Sequence, residues 1–201
     1  WAILGGNGAG KSTLLRLILG ELWPAAEDGG ERRYGFGGTL TASAIGARKH
    51  MALVSGEQHL RYARNEDWRL DVGAVVLSGL FDNSLPLARP TPAQRKRVAE
   101  TLAALGIADL AGRDFRGLSQ GELRKTLIAR ALVRKPDALL LDEVTVGLDA
   151  VGRRDVLALL DRAAAAGAHL VMTTHRTEDM PRAINRTLTL REGRVLDSGI
   201  T

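Results

Sequence analysis

Gly5-Gly6-Asn7-Gly8-Ala9-Gly10-Lys11-Ser12 decides how this chain is read. The stretch matches G-x-x-x-x-G-K-[ST] throughout. An apolar run, Trp1-Ala2-Ile3-Leu4, precedes it, and Leu14, Leu15, Leu17, Ile18 and Leu19 follow at helical spacing up to Gly20. Strand, glycine-rich turn and helix is the context in which this pattern binds phosphate. Backbone N–H groups have to converge on the anion, which glycine-rich backbone permits. The helix behind the turn presents its positive end to the same anion. Lys11 is expected to reach the β- and γ-phosphates and the Ser12 hydroxyl to ligate Mg²⁺. Gly5, Asn7, Gly8, Ala9, Gly10 and Thr13 complete the expected contacts. The competing reading, a plain turn before a helix, does not account for the lysine and serine at these two places.

Leu139-Leu140-Leu141-Asp142-Glu143 is the second informative stretch. The leucines read as a buried strand, which puts Asp142 at the strand's C-terminal end, where open α/β sheets bind ligands. Asp142 is expected to hold Mg²⁺, and Glu143 to activate a water for attack on the γ-phosphate. Further strands are expected at Met51–Ser55, Leu170–Thr174 and the pair Leu188–Leu190 with Val195–Leu196, and a short strand or hairpin near Arg32–Phe36. Helices are expected at Val72–Leu80, Pro92–Leu105, Ser119–Lys135 and Val151–Ala166, the third opened by a capping box of Ser119 and Glu122. Pro86, Pro90 and Pro92 punctuate the loop between the first two. Strands alternating with helices imply an α/β fold with a mostly parallel sheet flanked by helices. The helical block 56–117 interrupts that alternation and reads as an inserted subdomain. Residues 1–55 and 118–201 form the core.

Composition bounds the rest. The 201 residues are 45% hydrophobic and 25% charged, as in an ordinary globular domain. No stretch of about 18 consecutive apolar residues exists to span a membrane unaided. The absence of cysteine excludes disulfides, thiolate metal sites and cysteine nucleophiles. The net charge of +5 admits nucleic acid or an acidic membrane surface as a partner, but the arginines are scattered. The densest run, Gln94-Arg95-Lys96-Arg97, reads as a solvated helix face. The chain opens on Trp1 inside an apolar strand, so the expectation is that it begins within a domain.

Leu118-Ser119-Gln120-Gly121-Glu122 resembles the signature motif of ABC-type ATPases, commonly L-S-G-G-Q, and lies 23 residues before Asp142. Gly147-Leu148-Asp149 resembles that family's D-loop, and His175, after an apolar strand, its switch histidine. The order of these elements covers essentially the whole chain. The resemblance implies a P-loop NTPase fold in which an N-terminal antiparallel β-subdomain is incomplete here. It also implies ATP and Mg²⁺ as cofactors, and a homo- or heterodimer closing head to tail around two ATP molecules. In that dimer Ser119, Gln120, Gly121 and Glu122 of one subunit face the other's P-loop, Asp149 communicates across the interface, and His175 holds Glu143 and its water. Gln58 is the choice for the glutamine that ligates Mg²⁺ beside Ser12 and Asp142, with Glu57 as the alternative. Gln120 and Glu122 depart from the common motif while the Ser and Gly remain, and Val144 replaces a frequent proline. The resemblance implies that the family's adenine-stacking aromatic is expected upstream of this chain. Tyr34 and Phe36 read as packing residues. Leu53–Ser55, Val76–Asp82 and Arg89–Pro92 look similar to molybdate- or photorepair-type members.

The resemblance implies the ATP-hydrolysing subunit of a transporter that drives a separate membrane permease. Such a subunit is cytoplasmic and peripheral at the inner face of the membrane. The alternative is a soluble ABC ATPase acting on nucleic acid or the ribosome, of photorepair or translation type. A non-hydrolysing regulatory module is the third reading, and intact Lys11, Asp142, Glu143 and His175 oppose it.

Overall fold

The computed structural model describes residues 1–25, 29–36, 38–56, 58, 62, 69–81 and 89–200. The strands are β1 (Ala2–Leu4), β2 (Tyr34–Phe36), β3 (Thr39–Thr41), β4 (Met51–Ser55), β5 (Ala138–Asp142), β6 (His169–Thr174), β7 (Arg186–Arg191) and β8 (Arg194–Ile200). Six of them form one sheet in the order β4-β5-β6-β1-β7-β8. The first five run parallel, and only the β7–β8 hairpin is antiparallel. β2 and β3 form a separate antiparallel pair. The helices are α1 (Lys11–Leu19), α2 (Ala44–Ala47), α3 (Val72–Ser78), α4 (Pro92–Ala104), α5 (Gln120–Leu132) and α6 (Ala150–Ala165).

Leu139, Leu140 and Leu141 have no exposed surface, as a central parallel strand covered on both faces requires. The pleat sends them to opposite sides. Leu139 and Leu141 join the larger core with Val75, Leu102, Leu127, Ile128, Val156 and Leu160 from α3–α6. Leu140 joins a smaller core with Ile3, Leu15, Tyr34 and Leu190. Helices therefore cover one face, and α1 with the β2–β3 pair covers the other.

β1 comes first in the chain yet lies between β6 and β7, so the glycine-rich turn leaves from the middle of the sheet. Its end is aligned with its neighbours: Leu4 pairs with Thr174, and Thr173 pairs with Asp142. The turn, Thr173 and Asp142 consequently share one edge, at the carboxyl ends of parallel strands.

Two helices end earlier than their periodicity predicts. α5 stops at Leu132, and Lys135 has a left-handed φ of 56°. Pro136 follows it and disfavours a right-handed helical conformation there. α3 tightens into a 3₁₀ turn over Gly79–Phe81. A β-carbon on Gly79 would meet the Arg130 carbonyl oxygen at 2.1 Å, so the two helices touch where the geometry changes. Pro86 lies outside the described residues, as do 57, 59–61, 63–68 and the rest of 82–88 in the block 56–117. No helix among the described residues is long and apolar enough to cross a membrane.

Candidate functional site

The turn after β1 is held from below. A β-carbon on Gly5 would sit 2.5 Å from the Leu190 carbonyl oxygen, so only glycine lets the chain leave the strand beside β7. The Ala9 N–H donates to Gly6 O at 3.2 Å, and the β7–β8 turn braces the loop through Gly193 N–H to Ala9 O at 3.0 Å. The next residues enter α1. Its N-cap is Gly10, which has no side chain to accept from the helix's first N–H groups. Those donors, at the positive helix end, suit a phosphate.

Lys11 is 4% exposed. Its Nζ donates to Gly5 O at 2.9 Å and Gly6 O at 3.0 Å, and lies 3.3 Å from Glu143 Oε1. The ammonium is thus curled into the turn and neutralised by the carboxylate expected to activate water. Beside it, Ser12 Oγ donates to Asp142 Oδ1 at 3.0 Å. The two are hard oxygen donors one hydrogen bond apart. This fits Mg²⁺, which is held through one or two protein oxygens, waters and substrate phosphate. Among the described residues no cluster of three or more His, Asp or Glu side chains offers an all-protein metal cage.

Thr173 was missed by sequence reasoning. It is fully buried, donates to Asp142 Oδ1 at 2.6 Å and accepts the Glu143 N–H at 3.0 Å. One hydroxyl therefore orients the carboxylate expected to hold Mg²⁺ and the backbone of the expected base. The available signal was a polar β-branched residue closing an apolar strand. Glu143 has a φ of 50°, uncommon for a non-glycine residue, and turns sharply out of β5.

Beyond Glu143 the chain turns through Val146 N–H to Glu143 O (3.2 Å) and Leu148 N–H to Thr145 O (3.3 Å). It reaches Asp149, whose carboxylate accepts the Gly152 N–H at 2.7 Å and caps α6. His175 follows β6 directly and is exposed. Its backbone is set by Thr174 Oγ1, which donates to Arg176 O (3.2 Å) and accepts the Arg176 N–H (3.1 Å).

Ser119 begins α5 with the expected capping box. Its Oγ accepts the Glu122 N–H at 3.3 Å, and Glu122 Oε2 accepts the Ser119 N–H at 2.8 Å. The bond from the Ser119 N–H is the largest of the effects that hold the Glu122 carboxyl below the usual carboxylate range, and the Arg113 guanidinium paired with it adds to them. Lys125 Nζ lies 3.6 Å from Asp155 Oδ2, joining the second turns of α5 and α6. Ser119, Gln120, Gly121 and Glu122 line a cleft with Gly147 and Asp149. They share no hydrogen bond or ion pair with Lys11 or Ser12 among the described residues.

Gln58 shares no hydrogen bond with Ser12 or Asp142 among the described residues. Its amide donates to Leu53 O at 2.8 Å, in a cleft with Arg48, Arg130 and Arg134. Glu57 lies outside the described residues. Tyr34 is buried in the smaller core, its hydroxyl donating to Ile18 O at 2.9 Å, and Phe36 stacks on His50 with ring centres 4.4 Å apart. Both are packing residues.

The family model described as "ABC transporter" matches residues 1–146. The cobalt import ATP-binding protein CbiO of Rhodobacter capsulatus is 38% identical over 210 residues, covering 98% of this chain and 67% of that protein. The nickel import ATP-binding protein NikO of the same organism is 35% identical over 208 residues, covering 98% and 77%. Among solved structures, cbiO1 of Clostridium perfringens, part of the ABC transporter complex cbiONQ, is similar with a TM-score of 0.79 and 30% identity. That likeness covers 98% of this chain and 75% of that one.

Proposed function

The chain belongs to the ABC transporter family as an ATP-binding subunit, and we propose that it hydrolyses ATP with Mg²⁺, working as a dimer that drives a separate membrane permease. The observation that carries the reaction is the meeting of Lys11, Ser12, Asp142 and Glu143 at the carboxyl end of the sheet. Bound Mg²⁺ would neutralise charge on the phosphate oxygens.

The chain's own residues account for the remaining work. The glycine-rich turn and first turn of α1 receive the phosphates through backbone N–H groups. Lys11 exchanges its Gly5 and Gly6 carbonyl partners for phosphate oxygens, which frees the Glu143 carboxylate. Glu143 then accepts a proton from water as the water oxygen bonds to the γ-phosphorus and the bond to the ADP oxygen breaks. His175, following the strand that carries Thr173, orients Glu143 and that water. In one chain the Ser119 motif is separate from Lys11, which supports a second subunit supplying it: Ser119 and Gly121, at a helix start, suit the partner's triphosphate.

Residues 56–117 would form the subdomain that passes motion to the permease. The subunit would then be cytoplasmic and peripheral to the membrane. The cobalt and nickel import relatives favour a transition-metal ion as the cargo.

The test is Mg²⁺-dependent phosphate release by wild type and Glu143→Gln, with chromatography of the variant in ATP. The variant is expected to bind ATP, lose nearly all hydrolysis and elute as a dimer. Hydrolysis at the wild-type rate would remove Glu143 as the base.

A further inference from the structure

Asp179 is a buried carboxylate outside every motif described above, 3% exposed in the 3₁₀ turn Thr177–Asp179. Two elements hold it. Its Oδ1 lies 3.2 Å from Arg153 Nε, in the first turn of α6, and its Oδ2 accepts the Thr145 hydroxyl at 3.3 Å. Thr145 is itself buried, two residues beyond Glu143. The Arg153 N–H donates to Asp149 O at 2.9 Å, and the Asp179 N–H to Arg176 O at 3.2 Å. Arg153 also reaches Glu178, with Nη1 3.7 Å from Oε1.

We infer that Asp179 is a positioning residue for hydrolysis, tying the segment after His175 to the Glu143–Asp149 loop through Thr145 and Arg153. The inference rests on the reaction proposed above. Its physical basis is the cost of separating a buried ion pair. Such a pair adds little net stability over an apolar substitute, yet leaving one member uncompensated in the interior is severely unfavourable. Moving the two loops apart while Asp179 stays buried would leave its charge uncompensated and is therefore disfavoured. His175 lies four residues from one end of this contact and Glu143 two residues from the other. A contact of this kind fixes relative placement, so its loss should appear in the chemical step, where small misplacements are costly, more than in nucleotide binding. The phosphate contacts proposed for this chain's own nucleotide belong to Lys11 and the turn before it, which share no hydrogen bond or ion pair with Asp179 or Thr145 among the described residues.

The experiment is steady-state hydrolysis by the full chain carrying Asp179→Asn, Thr145→Val or both, with thermal melting of each. Each single variant is expected to lower kcat about tenfold, while KM for ATP stays within about twofold, as for an interaction that matters mainly in the transition state. Because the two residues act through one contact, the double variant should be no slower than the slower single one. Asp179→Glu should recover part of the rate. Unchanged kcat in a folded variant would overturn the inference, as would losses that multiply in the double variant. If Asp179→Asn fails to fold, Thr145→Val decides alone by the same kcat and KM criteria. A wild type that binds ATP without hydrolysing it would overturn the reaction itself. A hydrolysing wild type with insensitive variants would overturn only the role of Asp179.

Discussion

Lys11 Nζ lies 3.3 Å from Glu143 Oε1 while donating to the carbonyl oxygens of Gly5 and Gly6. The ammonium thus has two carbonyl acceptors and one carboxylate counter-charge within the site. In the proposed reaction a triphosphate would replace those partners and so separate the lysine from Glu143.

Lys11→Ala removes a buried cation and strands two carbonyl groups. Charge-assisted hydrogen bonds contribute about 1.5–3 kcal/mol each, so ATP affinity should fall by at least about tenfold. Titration calorimetry with ATP reads this directly. Lys11→Arg should not restore it, because a planar guanidinium does not substitute for a compact ammonium in a lysine-shaped site. Undiminished ATP affinity in Lys11→Ala would end the assignment of the turn.

Thr173→Val keeps shape in a fully buried position and removes the hydroxyl shared by Asp142 and the Glu143 N–H. The Mg²⁺ concentration for half-maximal hydrolysis should rise and kcat should fall. Leaving the Glu143 N–H unpaired costs about 1–3 kcal/mol, which sets the expected loss near tenfold or somewhat more. Thr173→Ser should recover most of the activity. A magnesium titration identical to wild type would show that the hydroxyl is dispensable.

Much of this site could be read before any coordinates. Lys11, Ser12, Asp142 and Glu143 announce themselves by residue type and by the strand or turn beside them, and Ser119 with Glu122 by the spacing of a capping box. Thr173 did not, because chain order says nothing of which strand lies beside which. Only the placement of β6 next to β5 turns a strand-end threonine into a partner of Asp142. Gln58 illustrates the same limit: its bond to Leu53 O depends on how the chain bends after β4. The position of β1 between β6 and β7 is likewise a lateral fact.

Gly5→Ala tests the floor of the phosphate turn. The added carbon would stand 2.5 Å from Leu190 O and 2.9 Å from the Ala9 side chain. β7 is braced by β8, so the turn has to shift. Overpacking of this kind costs about 1–3 kcal/mol, and melting should fall accordingly. ATP affinity should fall with it, since the shifted carbonyl is one that positions Lys11. A variant with unaltered melting and binding would mean that β7 yields freely.

Glu122 links the start of α5 to pH. Its folded carboxyl is held below the ordinary value of 4.5, first by the Ser119 N–H. A carboxyl with a depressed folded value binds its proton more readily in the unfolded chain. Its contribution to stability is therefore whole above the unfolded value and is lost as pH falls through the folded one. Acid should thus loosen the first turn of α5, which carries Gln120 and Gly121. Glu122→Gln can still accept the Ser119 N–H but has no charge to lose and no ion pair with Arg113. Thermal melting of wild type and Glu122→Gln from neutral pH to below 4 checks this. The wild type should be the more stable protein at neutral pH, and the difference should shrink as the carboxyl protonates. A difference that stays constant across that range would mean that the capping bond alone, without the charge, sets the start of the helix.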